Sequence, residues 1–114
     1  MDTIEQLAET LKALADPTRL RLIQLLSQNT SQVAECGVDN CNGRGFLCVN
    51  ALAHRLGITQ SAVSQHLRVL RQAGLVSSQR RGSFVHYTLD EEGLERVRTA
   101  LGEALGGGLP DGQA

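Results

Sequence analysis

Apolar residues recur at helical spacing in five stretches of this chain, which predicts a mainly α-helical protein. These stretches are residues 3–15, 17–27, 48–57, 59–74 and 90–105. Asp16 followed by Pro17 is typical of a helix start, because the carboxylate can accept a backbone N–H and proline needs no N–H partner there. Turn-forming residues fill the segment 29–47 and predict a long irregular loop that contains cysteines.

Two further stretches alternate apolar with polar residues and predict a β-hairpin. Its strands are residues 75–79 and 84–89, and its basic turn is Arg80, Arg81, Gly82 and Ser83. The hairpin follows two short helices that are separated by a glycine-containing turn, which is typical of a helix-turn-helix with a wing. We therefore predict a winged helix-turn-helix, mainly α with a small β-hairpin. Its single domain spans residues 1–105, with the helix-turn-helix at 48–74, the wing at 75–89 and a flexible tail at 106–114.

The length and composition fit one small globular domain. The chain has 114 residues, of which 41% are hydrophobic and 3% aromatic, so the core must consist of Leu, Val, Ile and Ala. No apolar run reaches the roughly 18 residues of a membrane helix. The polar, acidic start of the chain is unlike a secretory signal peptide. We expect a soluble, cytoplasmic protein without a membrane partner.

The charges are distributed unevenly, although the formal net charge is only −1. Residues 40–89 contain six arginines and neither Asp nor Glu, whereas both ends of the chain are acidic. A basic, acid-free segment is typical of a surface that binds phosphates, which predicts double-stranded DNA as the partner. A solvated helix face beside a polar hairpin explains each of these residues singly, but it does not explain the whole set.

The second helix of a helix-turn-helix enters the major groove of DNA and offers hydrogen bonds to base edges. The predicted DNA-binding residues occupy its outer face and the hairpin turn. They are Thr59, Gln60, Ser61, Ser64, Gln65, His66, Arg68, Arg80 and Arg81. Hydroxyl and amide groups suit base edges, and arginine suits guanine or phosphate. Two interpretations of His66 stay open, a DNA contact and a satisfied, half-buried histidine.

Four segments of the chain resemble the ArsR/SmtB family of bacterial repressors. They are residues 16–23, 48–53, 60–67 and 82–87, within a resemblance that covers about residues 11–105. The resemblance implies a homodimeric winged-helix protein whose first and last helices form the interface. It also implies operator binding that ends when an inducer binds. The apolar stripes over residues 4–14 and 94–105 suit such an interface and suit the chain's own core equally well.

The three cysteines are the candidate inducer site: Cys36, Cys41 and Cys48. An odd, clustered count is unlike a secreted disulfide scaffold and favours metal binding or redox sensing. Three thiolates suit a trigonal site for As(III) or Sb(III), whereas Cd(II), Pb(II) or Zn(II) would need a suitable geometry or a fourth ligand. Cys48 starts a predicted helix in a basic segment, which favours its thiolate form. Thiol-rich members of the family begin this helix with Cys-Val-Cys, whereas Asn50 stands in the third position here.

The sequence thus predicts a repressor that needs no cofactor to bind DNA and is released by a metal or metalloid on its cysteines. One alternative is a redox- or persulfide-sensing repressor that uses a cysteine pair. Another is a winged-helix module without an inducer, in which the cysteines have no role. A thiolate enzyme built on Cys48 and His54 is not expected, because the two residues lie on different helix faces with no carboxylate nearby. After the DNA-binding repressor and the thiolate enzyme, the third functional class is a winged-helix module that contacts RNA or another protein.

Overall fold

The computed structural model describes residues 2–28, 47–81 and 84–106, and these form five helices and three strands. In chain order they are α1 (Thr3–Leu14), α2 (Pro17–Gln28), β1 (Leu47–Cys48), α3 (Val49–Leu56), α4 (Gln60–Gln72), β2 (Val76–Arg81), β3 (Phe84–Leu89) and α5 (Glu91–Ala104). The mainly α fold with a β-hairpin is confirmed. In the part of the chain that the structure describes, no helix is long and apolar enough to span a membrane.

Local side-chain chemistry sets most of the helix ends. At four helix starts a side-chain oxygen accepts the backbone N–H three residues further on: Asp2 at 2.8 Å, Asp16 at 3.1 Å, Thr59 at 3.0 Å and Asp90 at 3.0 Å. Gly57 after α3 and Gly74 after α4 have φ values of 69° and 80°, in the left-handed region that glycine adopts without strain. The predicted boundaries at these positions are confirmed.

A three-stranded antiparallel sheet in the order β1-β3-β2 joins the wing to the helix-turn-helix. Strand β2 pairs with β3 from Val76 opposite Leu89 to Arg81 opposite Phe84. Arg80 and Arg81 therefore belong to β2, and their predicted place in the hairpin turn is wrong. The pairing with β3 therefore extends past Gln79, with Arg80 opposite Val85 and Arg81 opposite Phe84.

Strand β1 was not predicted from the sequence. Its two residues pair with the other edge of β3, with Leu47 opposite Tyr87 and Cys48 opposite His86. Cys48 consequently lies in a strand, one residue before α3, rather than in the helix as expected. The pairing with β1 makes β3 the central strand of the sheet, and His86 is only 1% exposed.

One apolar core lies between α2, α3, α4 and the sheet. Its most deeply buried side chains are Leu22, Leu52, Val63, Leu67, Leu70 and Leu75. Helices α1 and α5 lie against each other beside this core. They bury Leu7 and Ala13, whereas Ile4 is 61% exposed and Leu105 is 76% exposed. The apolar stripes of the two terminal helices are therefore only partly covered by their own subunit.

The start of α5 lies directly against the turn that ends α4. A Cβ atom added to Gly93 would collide with the carbonyl oxygen of Gly74. The backbone N–H of Asp90 donates to the carbonyl of Leu75 at 2.9 Å in the same junction. Only glycine fits at position 93 in this arrangement, which fixes α5 relative to the end of the helix-turn-helix.

Candidate nucleic-acid interface

Helix α4 places its apolar side in the core and leaves its polar side on the surface. Val63, Leu67 and Leu70 are buried at spacings of three and four residues, which marks one side of the helix. The exposed residues at its start and along its other side are Thr59, Gln60, Ser61, Ser64, Gln65 and Arg68. We call these six residues the reading face. They are six of the seven residues predicted here for DNA contact.

The reading face lies in an electropositive part of the chain. The charged side chains between residues 40 and 89 are all arginines, and Arg55, Arg71 and Arg80 are exposed like Arg68. Residues 40–89 contribute no carboxylate that could pair with these cations, and a segment of this composition attracts phosphates. The arrangement can offer hydrogen bonds to base edges and positive charge to the flanking backbone of a duplex.

The start of α4 is tied to α3 by a side-chain hydrogen bond. The Nε2 atom of Gln60 donates to the Oδ1 atom of Asn50 at 3.0 Å. Asn50 occupies the third position of the Cys-Val-Cys motif with which thiol-rich members of the resembled family begin this helix. The amide there links α3 to the start of α4.

His66 is the one member of the predicted set on α4 that is half-buried. It lies on the flank of the helix, where its Nδ1 atom accepts a hydrogen bond from Nε of Arg19 at 3.2 Å. This geometry favours the interpretation of His66 as a satisfied, half-buried histidine. Arg19 was not among the predicted site residues. The only hint in the sequence is its place in the Asp-Pro-Thr-Arg motif that carries part of the resemblance.

Arg19 also orders the turn that begins α2. Its backbone N–H donates to Oδ2 of Asp16 at 3.1 Å. That hydrogen bond is the main reason why the pKa of Asp16 lies below its ordinary value of 3.8, with the nearby His66 acting in the same direction and partial burial opposing both. Asp16 is therefore ionised at neutral pH and stabilises the N-terminus of α2.

The wing contributes an exposed arginine beside the helix-turn-helix. Arg80 lies in β2 opposite Val85, and its side chain is exposed. The backbone of Arg81 ends the same strand opposite Phe84. The predicted turn residues Gly82 and Ser83 lie outside the described residues.

The predicted cysteine site is described only at its last member. Cys36 and Cys41 lie outside the described residues, and the backbone of Cys48 pairs with that of His86. Within the described side chains, no group of three His, Cys, Asp or Glu residues is placed to hold a metal ion. The three-cysteine site thus stays a prediction. Cys48 is nevertheless located between the wing strand β3 and the first helix of the helix-turn-helix.

An open groove of about 620 Å³ runs between α1 and α5. Leu7 of α1 and Val97 and Ala100 of α5 are among its lining residues. Polar and charged residues, among them Glu92, Glu95 and Arg96, line it as well. Ile4 in α1 and Leu105 at the end of α5 are further exposed apolar side chains.

The chain matches one family model and known relatives. Residues 43–78 match the model described as bacterial regulatory protein, arsR family. The transcriptional repressor SmtB homolog of Synechocystis sp. is 38% identical over 105 residues, which span 92% of this chain and 67% of the relative.

Two solved structures share the fold. A possible transcriptional regulator for arsenical resistance superposes with a TM-score of 0.66 at 39% identity, over 85% of this chain and 83% of its own. A winged helix-turn-helix DNA-binding domain from Mycobacterium bovis, described as homodimeric, superposes with a TM-score of 0.63 at 27% identity. That match covers 90% of this chain and 80% of the other.

Proposed function

Because this chain belongs to the ArsR/SmtB family of DNA-binding transcriptional regulators, we propose that it is a repressor which binds its operator through the reading face of α4. The observation that carries the proposal is the exposed, acid-free polar side of α4 beside exposed arginines. Its function is accordingly DNA binding rather than catalysis.

The predicted DNA-binding residues fall into groups according to their chemistry and to the partners they already have within the protein. Ser61, Ser64 and Gln65 are exposed and suit direct hydrogen bonds to bases in the major groove. Arg68 on α4 and the wing arginines Arg80 and Arg81 suit phosphates, which position the protein without reading sequence. The other predicted contacts have protein partners that support the helix: Thr59 caps α4, Gln60 binds Asn50 and His66 binds Arg19.

We further propose a homodimer through α1 and α5. Ile4 and Leu105 are exposed apolar side chains of this helix pair that a second copy can cover, and the groove between the helices adds Leu7, Val97 and Ala100. The homodimeric description of the Mycobacterium bovis domain supports this arrangement. A two-fold dimer presents two copies of α4 to half-sites about one helical turn of DNA apart.

For the inducer, we propose a thiophilic metal or metalloid that binds Cys48, with Cys36 and Cys41 as further candidate ligands. Cys48 is the last residue of β1, which pairs with the wing strand β3, and it directly precedes α3, so a ligand there acts on both parts of the DNA-binding unit. The description of one similar structure as a possible regulator for arsenical resistance supports As(III) as a candidate. An allosteric coupling of about 1–3 kcal/mol would weaken operator binding about 5–150-fold.

Replacing Cys48 tests this inducer site. The probe is a duplex that the wild-type protein selects from a random-sequence library, called the operator duplex below. Fluorescence anisotropy measures its affinity with As(III), Sb(III), Cd(II), Zn(II) or an oxidant added in turn. We expect As(III), Sb(III) or Cd(II) to weaken binding by the wild type, and the Cys48→Ser variant to bind equally tightly with and without them.

Cys36→Ser and Cys41→Ser are measured with and without the same reagents. Loss of release in either variant would assign that cysteine to the site as a further ligand, and normal release would exclude it. Normal release of the Cys48→Ser variant by every effective reagent would refute the proposed site. Release by oxidants alone, lost with any one cysteine of a pair, would instead identify the redox-sensing repressor.

A further inference from the structure

The guanidinium of Arg19 bridges α4 to the end of α1. Its Nε atom donates to Nδ1 of His66 at 3.2 Å, and its Nη1 atom donates to the carbonyls of Ala13 at 3.2 Å and Lys12 at 3.5 Å. Both Arg19 and His66 are half-buried, so these contacts are partly shielded from water. A single side chain of α2 thus joins the corner between the first two helices to α4.

The chemistry of arginine makes this bridge directional. The guanidinium is planar and its N–H groups have fixed directions, so the bonds to α1 determine where Nε points. The last carbonyls of a helix lack partners within the helix, and a cation there is favourable. On the other side, the Nδ1 atom of His66 accepts a hydrogen bond only in its unprotonated form.

The position of His66 on α4 connects this bridge to base recognition. His66 directly follows Gln65 and lies two residues before Arg68, both on the reading face. Consecutive residues of a helix differ in direction by about 100°, so a restraint on His66 fixes the rotation of Gln65 about the helix axis. A small rotation of α4 would move the amide of Gln65 out of hydrogen-bonding range of a base.

We propose that Arg19 and His66 are positioning residues for operator recognition: the hydrogen bond between them sets the rotation of α4 against the α1–α2 corner. The inference rests on the proposed reading of DNA by α4. In this account neither side chain touches DNA. The charged groups around the pair are Asp16 at the start of α2, Glu9 and Lys12 of α1, and Arg96 of α5.

A double-mutant cycle on operator binding tests the pair. The variants are Arg19→Lys, His66→Leu and the combination of both. Arg19→Lys keeps the positive charge but loses the planar guanidinium with its several N–H donors. We expect each single variant to bind the operator duplex about tenfold more weakly, as for one hydrogen bond to a charged group. The combined variant should bind no more weakly than either single one, because both remove the same interaction.

The His66→Asn variant provides the matched rescue. The Oδ1 atom of asparagine can accept a hydrogen bond near the place of Nδ1, so this variant should keep an affinity within about threefold of the wild type. Affinity for a scrambled duplex should be the same in all variants, because non-specific binding depends on phosphate contacts. The unfolding curve of each variant shows whether its weaker operator binding comes from lost positioning of α4 or from lost folding.

The inference would be overturned if the losses of operator affinity in the two single variants multiplied in the double variant. It would also be overturned if the variants lost as much affinity for the scrambled duplex, since both results would show direct phosphate contacts. Equal weakness of His66→Asn and His66→Leu would overturn it as well. Gln65→Ala is measured alongside to separate the two claims. If Gln65→Ala binds like the wild type, the proposed reading face is wrong. If Gln65→Ala binds weakly while Arg19 and His66 act independently, only the positioning role is wrong.

Discussion

The Gln65→Glu variant is expected to lose operator binding by at least about 100-fold while it folds like the wild type. Gln65 is exposed in the middle of the reading face. Replacing its amide by a carboxylate removes the donor of a base contact that is typically worth about 1–3 kcal/mol. It also places a negative charge against the phosphates of the duplex. Anisotropy measures the affinity, and the urea unfolding curve should not change, because the side chain is exposed.

The matched control is Gln24→Glu. This substitution makes the same change of charge at an exposed position of α2. We expect it to weaken binding less than about threefold, since it lies outside the reading face and alters only the overall charge. Equal losses in the two variants would mean that net charge, and not the reading face, governs binding.

The second large effect is expected in stability. Gly93→Ala should lower the free energy of unfolding by about 1–3 kcal/mol or more, the usual cost of forcing an extra methyl group into a packed site. The added Cβ would meet the backbone carbonyl of Gly74, and that residue already has a φ of 80°. A backbone atom in a left-handed turn cannot yield as the end of a flexible side chain can. Urea unfolding at a fixed protein concentration measures the change, because the stability of a dimer depends on concentration.

Gly102→Ala in the same helix is the matched control. Nothing lies within 4 Å of a Cβ atom added at Gly102. Alanine has the higher helix propensity, so this variant should gain about 0.5–1 kcal/mol of stability. If Gly93→Ala is as stable as the wild type, α5 is not held against the end of α4 as described.

Features that depend only on residues close in the sequence, such as helix ends, could be predicted from the sequence. Asp16, Thr59 and Gly57 mark helix ends through bonds or backbone angles within a few residues, and the structure has the ends there. The exposed side of α4 likewise follows from helical periodicity, because burying Val63 and Leu67 turns Ser64 and its polar neighbours outward.

Elements that depend on distant partners could not be predicted. Strand β1 has only two residues, too few for a periodic pattern, and it exists through its pairing with β3. His86, which lies opposite Cys48 in this pairing, is only 1% exposed. The contact of Arg19 with His66 joins residues 47 positions apart, which no local pattern shows. The roles of Cys36 and Cys41 stay predictions.

The salt dependence of operator binding most directly tests whether this protein is a repressor that binds DNA through contacts with phosphates. For the wild type, we expect the logarithm of the association constant to fall linearly with the logarithm of salt concentration, with a slope of about −0.9 for each phosphate neutralised. Arg80→Gln should reduce the magnitude of this negative slope by about one per subunit. It should also weaken binding to all duplexes alike. An affinity that depends neither on salt nor on Arg80 would contradict DNA binding through this surface and indicate a protein partner instead.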